Sequence, residues 1–173
     1  VVCELGFDGL DINMGCPSKS VAASGSGAAL IKTPDLAHAI VRAARQGLED
    51  WAGGQSIHSQ GFKPSRIEFI HTLNHSRSGV PVVPRRLLPL SIKTRLGFDC
   101  VVVERWVEHL LEARPAAITL HGRTLQQMYR GAADWSAIAE AAKLAHGTGT
   151  LMLGNGDLNT LVDAIRRAAE SKV

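Results

Sequence analysis

The sequence predicts an α/β fold built on a parallel sheet, and three observations carry that expectation. Four strand-like runs lead into polar clusters: Phe7 to Ile12 into Asn-Met-Gly-Cys-Pro, then Leu90–Gly97, Ala117–Thr124 and Leu151–Asp157. Amphipathic helical stretches separate the runs, and alternation of this kind implies parallel strands joined by right-handed crossovers. The strand-end markers Lys93, His121 and Asn155 stand 28 and 34 residues apart, close to one βα unit each. Asn13 and Lys93 are 80 residues apart, so about 40 residues are inserted after the first unit. Four βα units make half of an eight-stranded barrel or a modest open sheet. Both put their chemistry at the carboxyl ends of the strands, and spacing does not choose between them.

Taken in order, Val1 to Gly6 reads as the tail of a helix already in progress, so the chain is expected to begin inside a domain. The first strand runs into Gly15-Cys-Pro17, a turn that projects Asn13 and Cys16, and Ser24-Gly-Ser-Gly27 reads as a flexible loop. Thr33-Pro34 starts a helix, with Thr as cap and Pro in the first turn. Leu36, Ile40, Ala44 and Leu48 recur every fourth residue and mark its buried face. The insertion, 49–88, carries Gly/Ser/Pro punctuation at both ends and a candidate short helix over Ile67–Leu73. Val101 to Arg114 forms an amphipathic helix. Trp135 to His146 forms another, closed by Gly147, and Thr160 caps a last one to about Ser171.

At 173 residues the chain holds one core of ordinary size. No run approaches the roughly 20 apolar residues that cross a membrane, so no membrane partner is expected. Cys3, Cys16 and Cys100 form no C-x-x-C pair, which disfavours a disulfide framework or zinc knuckle and suits a reducing cytoplasm. His71 and His75 have the i, i+4 spacing of metal ligands but no evident carboxylate or cysteine partner, so no metal is expected. The net charge of +3 is unevenly placed. Lys63, Arg66, Arg77, Arg85 and Arg86 face only Glu68 between His58 and Leu87, which places the whole surplus in the insertion. Such a patch can contact phosphates, although a solvated loop is the commoner meaning. If it binds RNA, neutralising Arg85 and Arg86 flattens the salt dependence.

Four motifs in this order resemble the tRNA-dihydrouridine synthases: Asp11-Ile-Asn-Met-Gly-Cys-Pro17, Ile92-Lys-Thr-Arg-Leu-Gly97, Thr119-Leu-His-Gly-Arg-Thr124 with Met128-Tyr129 and Ala133-Asp-Trp135, and Gly154-Asn-Gly-Asp157. The match spans nearly the whole chain except the insertion. The resemblance implies a partial (β/α)8 TIM barrel of about four consecutive βα units within one FMN-binding domain. It also implies further strands before Phe7, one after Asn155, and a helical tRNA-contacting domain beyond. The implied reaction is reduction of uridine in tRNA to 5,6-dihydrouridine, with electrons from NADPH or NADH. A cytoplasmic protein, monomeric when complete, is expected, and these residues alone are expected to be unstable and inactive.

Saturating the C5–C6 bond of a uracil takes a hydride at C6 and a proton at C5 from an acid on the opposite face. A thiol with an ordinary pKa of about 8.5 holds its proton at neutral pH, and Cys16 resembles the family's acid. A free cysteine is more often a small buried hydrophobe, which is the reading kept for Cys3 and Cys100. Asn13 offers a donor and an acceptor to a uracil edge, against its ordinary use in forming a turn. Lys93 resembles the lysine facing the flavin pyrimidine, where a cation stabilises negative charge. His121 resembles a flavin contact, where a lone strand-end histidine is commonly a satisfied core residue. Arg123 and, more weakly, Arg95 resemble residues that approach the bound uridine. Tyr129 either stacks on a base or packs against Trp135. Asn155, Gly156 and Asp157 resemble the family's flavin phosphate or ribityl contacts, Asp157 holding the turn because its carboxylate repels phosphate. Two other readings stand: an FMN barrel acting on free pyrimidines, like dihydroorotate dehydrogenase, and a non-catalytic RNA-binding remnant.

Overall fold

A computed structural model describes residues 1–78 and 84–173. Its elements run β1 (Leu10–Asn13), α1 (Lys19–Ala23), a 3-10 turn (Gly27–Lys32), α2 (Pro34–Ala52), a second 3-10 turn (Ile57–Ser59), α3 (Pro64–Ser78), β2 (Leu90–Arg95), α4 (Val103–Glu112), β3 (Ala117–His121), α5 (Trp135–Ala145), β4 (Leu151–Asn155) and α6 (Leu161–Ser171). The strands form one sheet in the order β1-β2-β3-β4, with β2–β3 and β3–β4 parallel. A doubly wound sheet reverses strand order and carries helices on both faces, whereas sequential order belongs to a barrel wall.

Side-chain alternation along the strands explains which face the helices take. Ile92, Thr94 and Leu96 on β2 and just beyond it, with Ile118 and Leu120 on β3, are fully buried. Leu96 and Leu120 meet Val103 and Val107 of α4 and Trp135, Ile138 and Ala141 of α5 in one cluster. The intervening positions, Lys93 and Arg95 on β2 and Thr119 and His121 on β3, lie on the other face. The chemistry-bearing residues thus sit opposite the helices.

The chain divides into two compact units, one comprising 1–10 and 42–90 and the other 11–41 and 91–173. In the first, Cys3, Leu48, Trp51, Ile57, Ile70 and Leu88 are buried. A 15-residue helix, α3, occupies part of the expected basic loop region and extends beyond the predicted Ile67–Leu73 at both ends, with Pro64 at its first position. Arg85 Nη1 donates to the carbonyls of Trp51 (2.5 Å) and Gln55 (2.6 Å), and Arg86 pairs with Asp8. Lys63 and Arg66 are exposed, and 79–83 of the expected insertion lies outside the described residues.

Two sequence expectations need correction. The strand expected over Phe7 to Ile12 begins only at Leu10, and Phe7 is 42% exposed. The buried stripe of α2 is not Leu36, Ile40, Ala44, Leu48: Leu36 is 50% exposed, while Ala37, Val41, Leu48 and Trp51 are buried. Steps of four overshoot a turn of 3.6 residues, so a run of i+4 positions drifts around the helix; spacings of four, seven and three stay on one side. The caps fall closer to expectation. Thr160 Oγ1 accepts the N–H of Asp163 (3.0 Å), and Asp134 Oδ1, unanticipated in this role, accepts that of Ala137 (3.0 Å). Val1 to Gly6 forms turns, with the N–H of Leu5 donating to the carbonyl of Val1 at 3.0 Å.

The corrected stripe makes a direct comparison possible. Val41→Ala should lower unfolding free energy by about 2 kcal/mol, from lost burial and the cavity left behind. Leu36→Ala should change it by less than about 0.5 kcal/mol. Equal losses in urea titrations of the two variants would restore the original stripe.

Candidate functional site

The site is built at the carboxyl ends of the four strands, beginning with the turn after β1. Asn13 Oδ1 accepts the N–H of Gly15 at 3.0 Å, an Asx turn that reverses the chain as soon as the strand stops. The N–H of Met14 donates to the Lys93 carbonyl at 2.7 Å, and a Cβ on Gly15 would stand 3.3 Å from the Cα of Thr94. The turn is therefore pressed against β2. Cys16 follows, half-buried, its carbonyl accepting the N–H of Ala28 at 3.1 Å. By contrast Cys3 is buried, which pushes its thiol pKa up, and Cys100 is exposed.

The strand register aligns the next residues. Arg95, His121 and Asn155 occupy one row across β2, β3 and β4, with Lys93 two positions earlier on the same face as Arg95. His121 is 8% exposed, and its Nδ1 has no hydrogen-bond partner among the described residues. Burial first, then the positive charges of Arg95, Lys93 and Arg123, lower its pKa from 6.5 to about 4, with Asp157 opposing. The imidazole is neutral at physiological pH, surrounded by three cations and one carboxylate.

Both arginines are buried and heavily committed. Arg95, 5% exposed, donates from Nε to the Gly15 carbonyl (2.8 Å) and from Nη1 to those of Thr124 (3.1 Å) and Met128 (3.4 Å). Arg123 donates from Nε and Nη2 to the Gly131 carbonyl (3.1 and 2.8 Å) and from Nη2 to Asp157 Oδ1 (2.5 Å). Among the described residues, Arg95 Nη2 and Arg123 Nη1 make no hydrogen bond to protein. Burial of the Arg95 guanidinium lowers its pKa.

The segment after β4 depends on its glycines. A Cβ on Gly154 would lie 2.4 Å from Cζ3 of Trp135, so no larger residue lets that ring cover the strand end. Gly156 has φ +126°, and a Cβ there would meet the Cβ of Ala133 at 2.8 Å and Nε2 of His121 at 3.6 Å. Trp135 Nε1 donates to the Gly156 carbonyl at 3.0 Å. Asp157 accepts the N–H of Ala133 at 2.6 Å and the Arg123 guanidinium. Those two bonds, the backbone one first, hold its carboxyl below the usual carboxylate range.

Asn13, Cys16, Lys93, Arg95, His121, Arg123, Asn155, Gly156 and Asp157 therefore lie along one edge of the sheet, toward the strand ends or in the turns leaving them. Tyr129 is 77% exposed, so most of its ring meets solvent. His71 contacts His58 with ring centroids 5.5 Å apart, and no group of three or more potential metal ligands occurs among the described residues. The sequence reading missed the carbonyl partners of Arg95, the Arg123–Asp157 pair and the Asp134 cap. Only the last had a visible signal, an Asp directly before an amphipathic run.

The family model described as dihydrouridine synthase (Dus) matches residues 1–50 and 74–172. The chain is 34% identical over 160 residues to the probable tRNA-dihydrouridine synthase 2 of Bacillus subtilis. It is 30% identical over 160 residues to a probable tRNA-dihydrouridine synthase of Staphylococcus aureus. A probable tRNA-dihydrouridine synthase of Staphylococcus epidermidis is 31% identical over 161 residues. Each alignment covers 91% of this chain and 37% of the relative, so the chain spans a little over a third of the length of the curated relatives it matches.

The depressed histidine has a measurable consequence for stability. Between pH 6.5 and about 4 the unfolded chain binds a proton at His121 that the folded chain does not. Its contribution is thus fully present above 6.5 and is lost as pH falls toward 4, a change of about 3 kcal/mol. His121→Gln should flatten the urea-derived stability profile in that window and leave the loss below pH 4 in place. A variant profile parallel to that of the unaltered protein would show that His121 titrates normally.

Proposed function

The chain belongs to the dihydrouridine synthase family, and we propose that it serves flavin-dependent reduction of uridine to 5,6-dihydrouridine in tRNA. The observation that carries this reading is the His121 cluster: Lys93, Arg95 and Arg123 surround a neutral imidazole, on the same strand-end rim as the Cys16 turn. A buried Nδ1 in need of a partner, and cationic charge in excess of the single Asp157, fit an anionic ring system such as FMN. Lys93 and His121 would hold its ring. Asn155 and Gly156 would border its ribityl-phosphate, with Asp157 keeping the turn in place through Ala133 and Arg123.

A bound FMN, with electrons from NADPH or NADH, would supply the hydride for C6 of the uracil. Cys16 gives the proton to C5, from a turn that leaves it half-exposed. Asn13 keeps its Oδ1 on Gly15 and so has its amide N–H groups for a uracil carbonyl. Arg123 Nη1 would supply a further donor toward the flipped base. In this reading the chain is part of one FMN-binding barrel domain in a cytoplasmic, monomeric enzyme, with 49–88 as an insertion and tRNA as the macromolecular partner.

Cys16→Ala is the direct test. With flavin reduced and unmodified tRNA supplied, dihydrouridine formation should fall by about a hundredfold or more, as expected for loss of a general acid. Flavin content should not change. Undiminished product would place the acid elsewhere, and flavin reduction of free pyrimidines without product on tRNA would favour the dihydroorotate-dehydrogenase-like reaction.

A further inference from the structure

Two adjacent β2 residues hold the two carbonyls that precede Cys16, from opposite faces of the strand. Thr94 Oγ1 donates to the Met14 carbonyl at 3.2 Å and itself accepts from Trp106 Nε1 at 3.0 Å. Arg95 Nε donates to the Gly15 carbonyl at 2.8 Å. The same guanidinium reaches the loop after β3 through Nη1, at the carbonyls of Thr124 and Met128. Met128 is held at φ +51°, a left-handed conformation that a non-glycine residue keeps only when its surroundings enforce it. Its N–H is bound by the Leu125 carbonyl at 3.0 Å, and its carbonyl is gripped by Arg95.

We propose that Arg95 is a positioning residue that couples the Cys16 turn to the Met128–Tyr129 segment, one guanidinium fixing both loops at once. A planar fork can address carbonyls in two directions, which a point charge such as lysine cannot. The inference rests on the proposed role of Cys16 for its functional meaning. Its structural content, concerted anchoring of two loops, is independent of that role.

The test uses Arg95→Lys alongside Arg95→Gln, which leaves no buried charge to be satisfied, in the full-length protein. By mass spectrometry, amide hydrogen exchange should accelerate by about tenfold or more in both 14–28 and 124–130, with α6 unchanged. Thr94→Val should loosen 14–28 alone. In dihydrouridine assays both Arg95 variants should lose about tenfold or more in kcat, with KM for tRNA within about twofold. Raised KM with unchanged exchange would make Arg95 a substrate contact only, and uniform acceleration would make it a general stabiliser; either overturns the proposal. If the unaltered protein makes no dihydrouridine, the reaction assigned above fails, while the exchange pattern still decides whether Arg95 couples the loops.

Discussion

The strand-end rim depends on keeping buried guanidinium groups satisfied. An uncompensated buried charge costs on the order of 3–5 kcal/mol, and a hydrogen bond to a charged group contributes about 1.5–3 kcal/mol, so two or three bonds decide whether such a residue can exist. Among the described residues, Arg95 meets the requirement with three backbone carbonyls and no carboxylate. Arg123 meets it with one carbonyl and Asp157. Because the acceptors come from three different strand-end segments, satisfying the charges fixes the segments. Rigidity at the site thus follows from electrostatic necessity, and backbone carbonyls satisfy the Arg95 guanidinium without bringing a compensating negative charge.

Much of this architecture was legible because it rests on local rules. Strand ends, the Thr160 cap and the alternation of elements follow from residue type and period, and the motif order pointed to a family that the family model also matches. What stayed illegible involved partners without side-chain identity. Gly15 and Arg95 are 80 positions apart, and the group they share is a backbone carbonyl, which leaves no trace in composition. The face of α2 was misassigned for a different reason: four apolar residues at equal spacing look like a stripe, yet the helix rotates them past their target, as exposed Leu36 shows. Asn13 illustrates a third case, because the turn occupies only its Oδ1 and so does not compete with the donor role proposed for its amide N–H groups.

The insertion obeys the same physics with a different outcome. Residues 51–73 fall outside the family match, yet Trp51, Ile57 and Ile70 are buried and α3 is a full helix. The basic composition of His58 to Leu87 suggested a solvated or RNA-facing loop. Arg85 instead closes backbone carbonyls near the end of α2 and lies 5.2 Å over the Trp51 ring, while Arg86 meets Asp8. Net charge counted along the chain therefore overstates what the unit offers to an outside phosphate. Lys63 and Arg66, both exposed, carry more of that capacity than the arginine pair.

His121 joins the electrostatics of the rim to its chemistry. Burial, and after it three nearby cations, keep its ring neutral, so it presents one donor and one acceptor rather than a fourth charge. Its Nδ1 is buried and without a partner among the described residues, a condition that costs about 1–3 kcal/mol in a folded protein. Repulsion between Arg95 and Arg123 is a second cost, with Asp157 paired to Arg123. Both costs are relieved by the same kind of occupant, one carrying negative charge and a hydrogen-bonding edge. Any such ligand binds the folded state in preference to the unfolded one and stabilises it in proportion to the logarithm of its concentration over Kd. The features that make the rim expensive to fold are therefore the ones that the proposed flavin would relieve, and the turn carrying Cys16 is held by Arg95 of that same cluster.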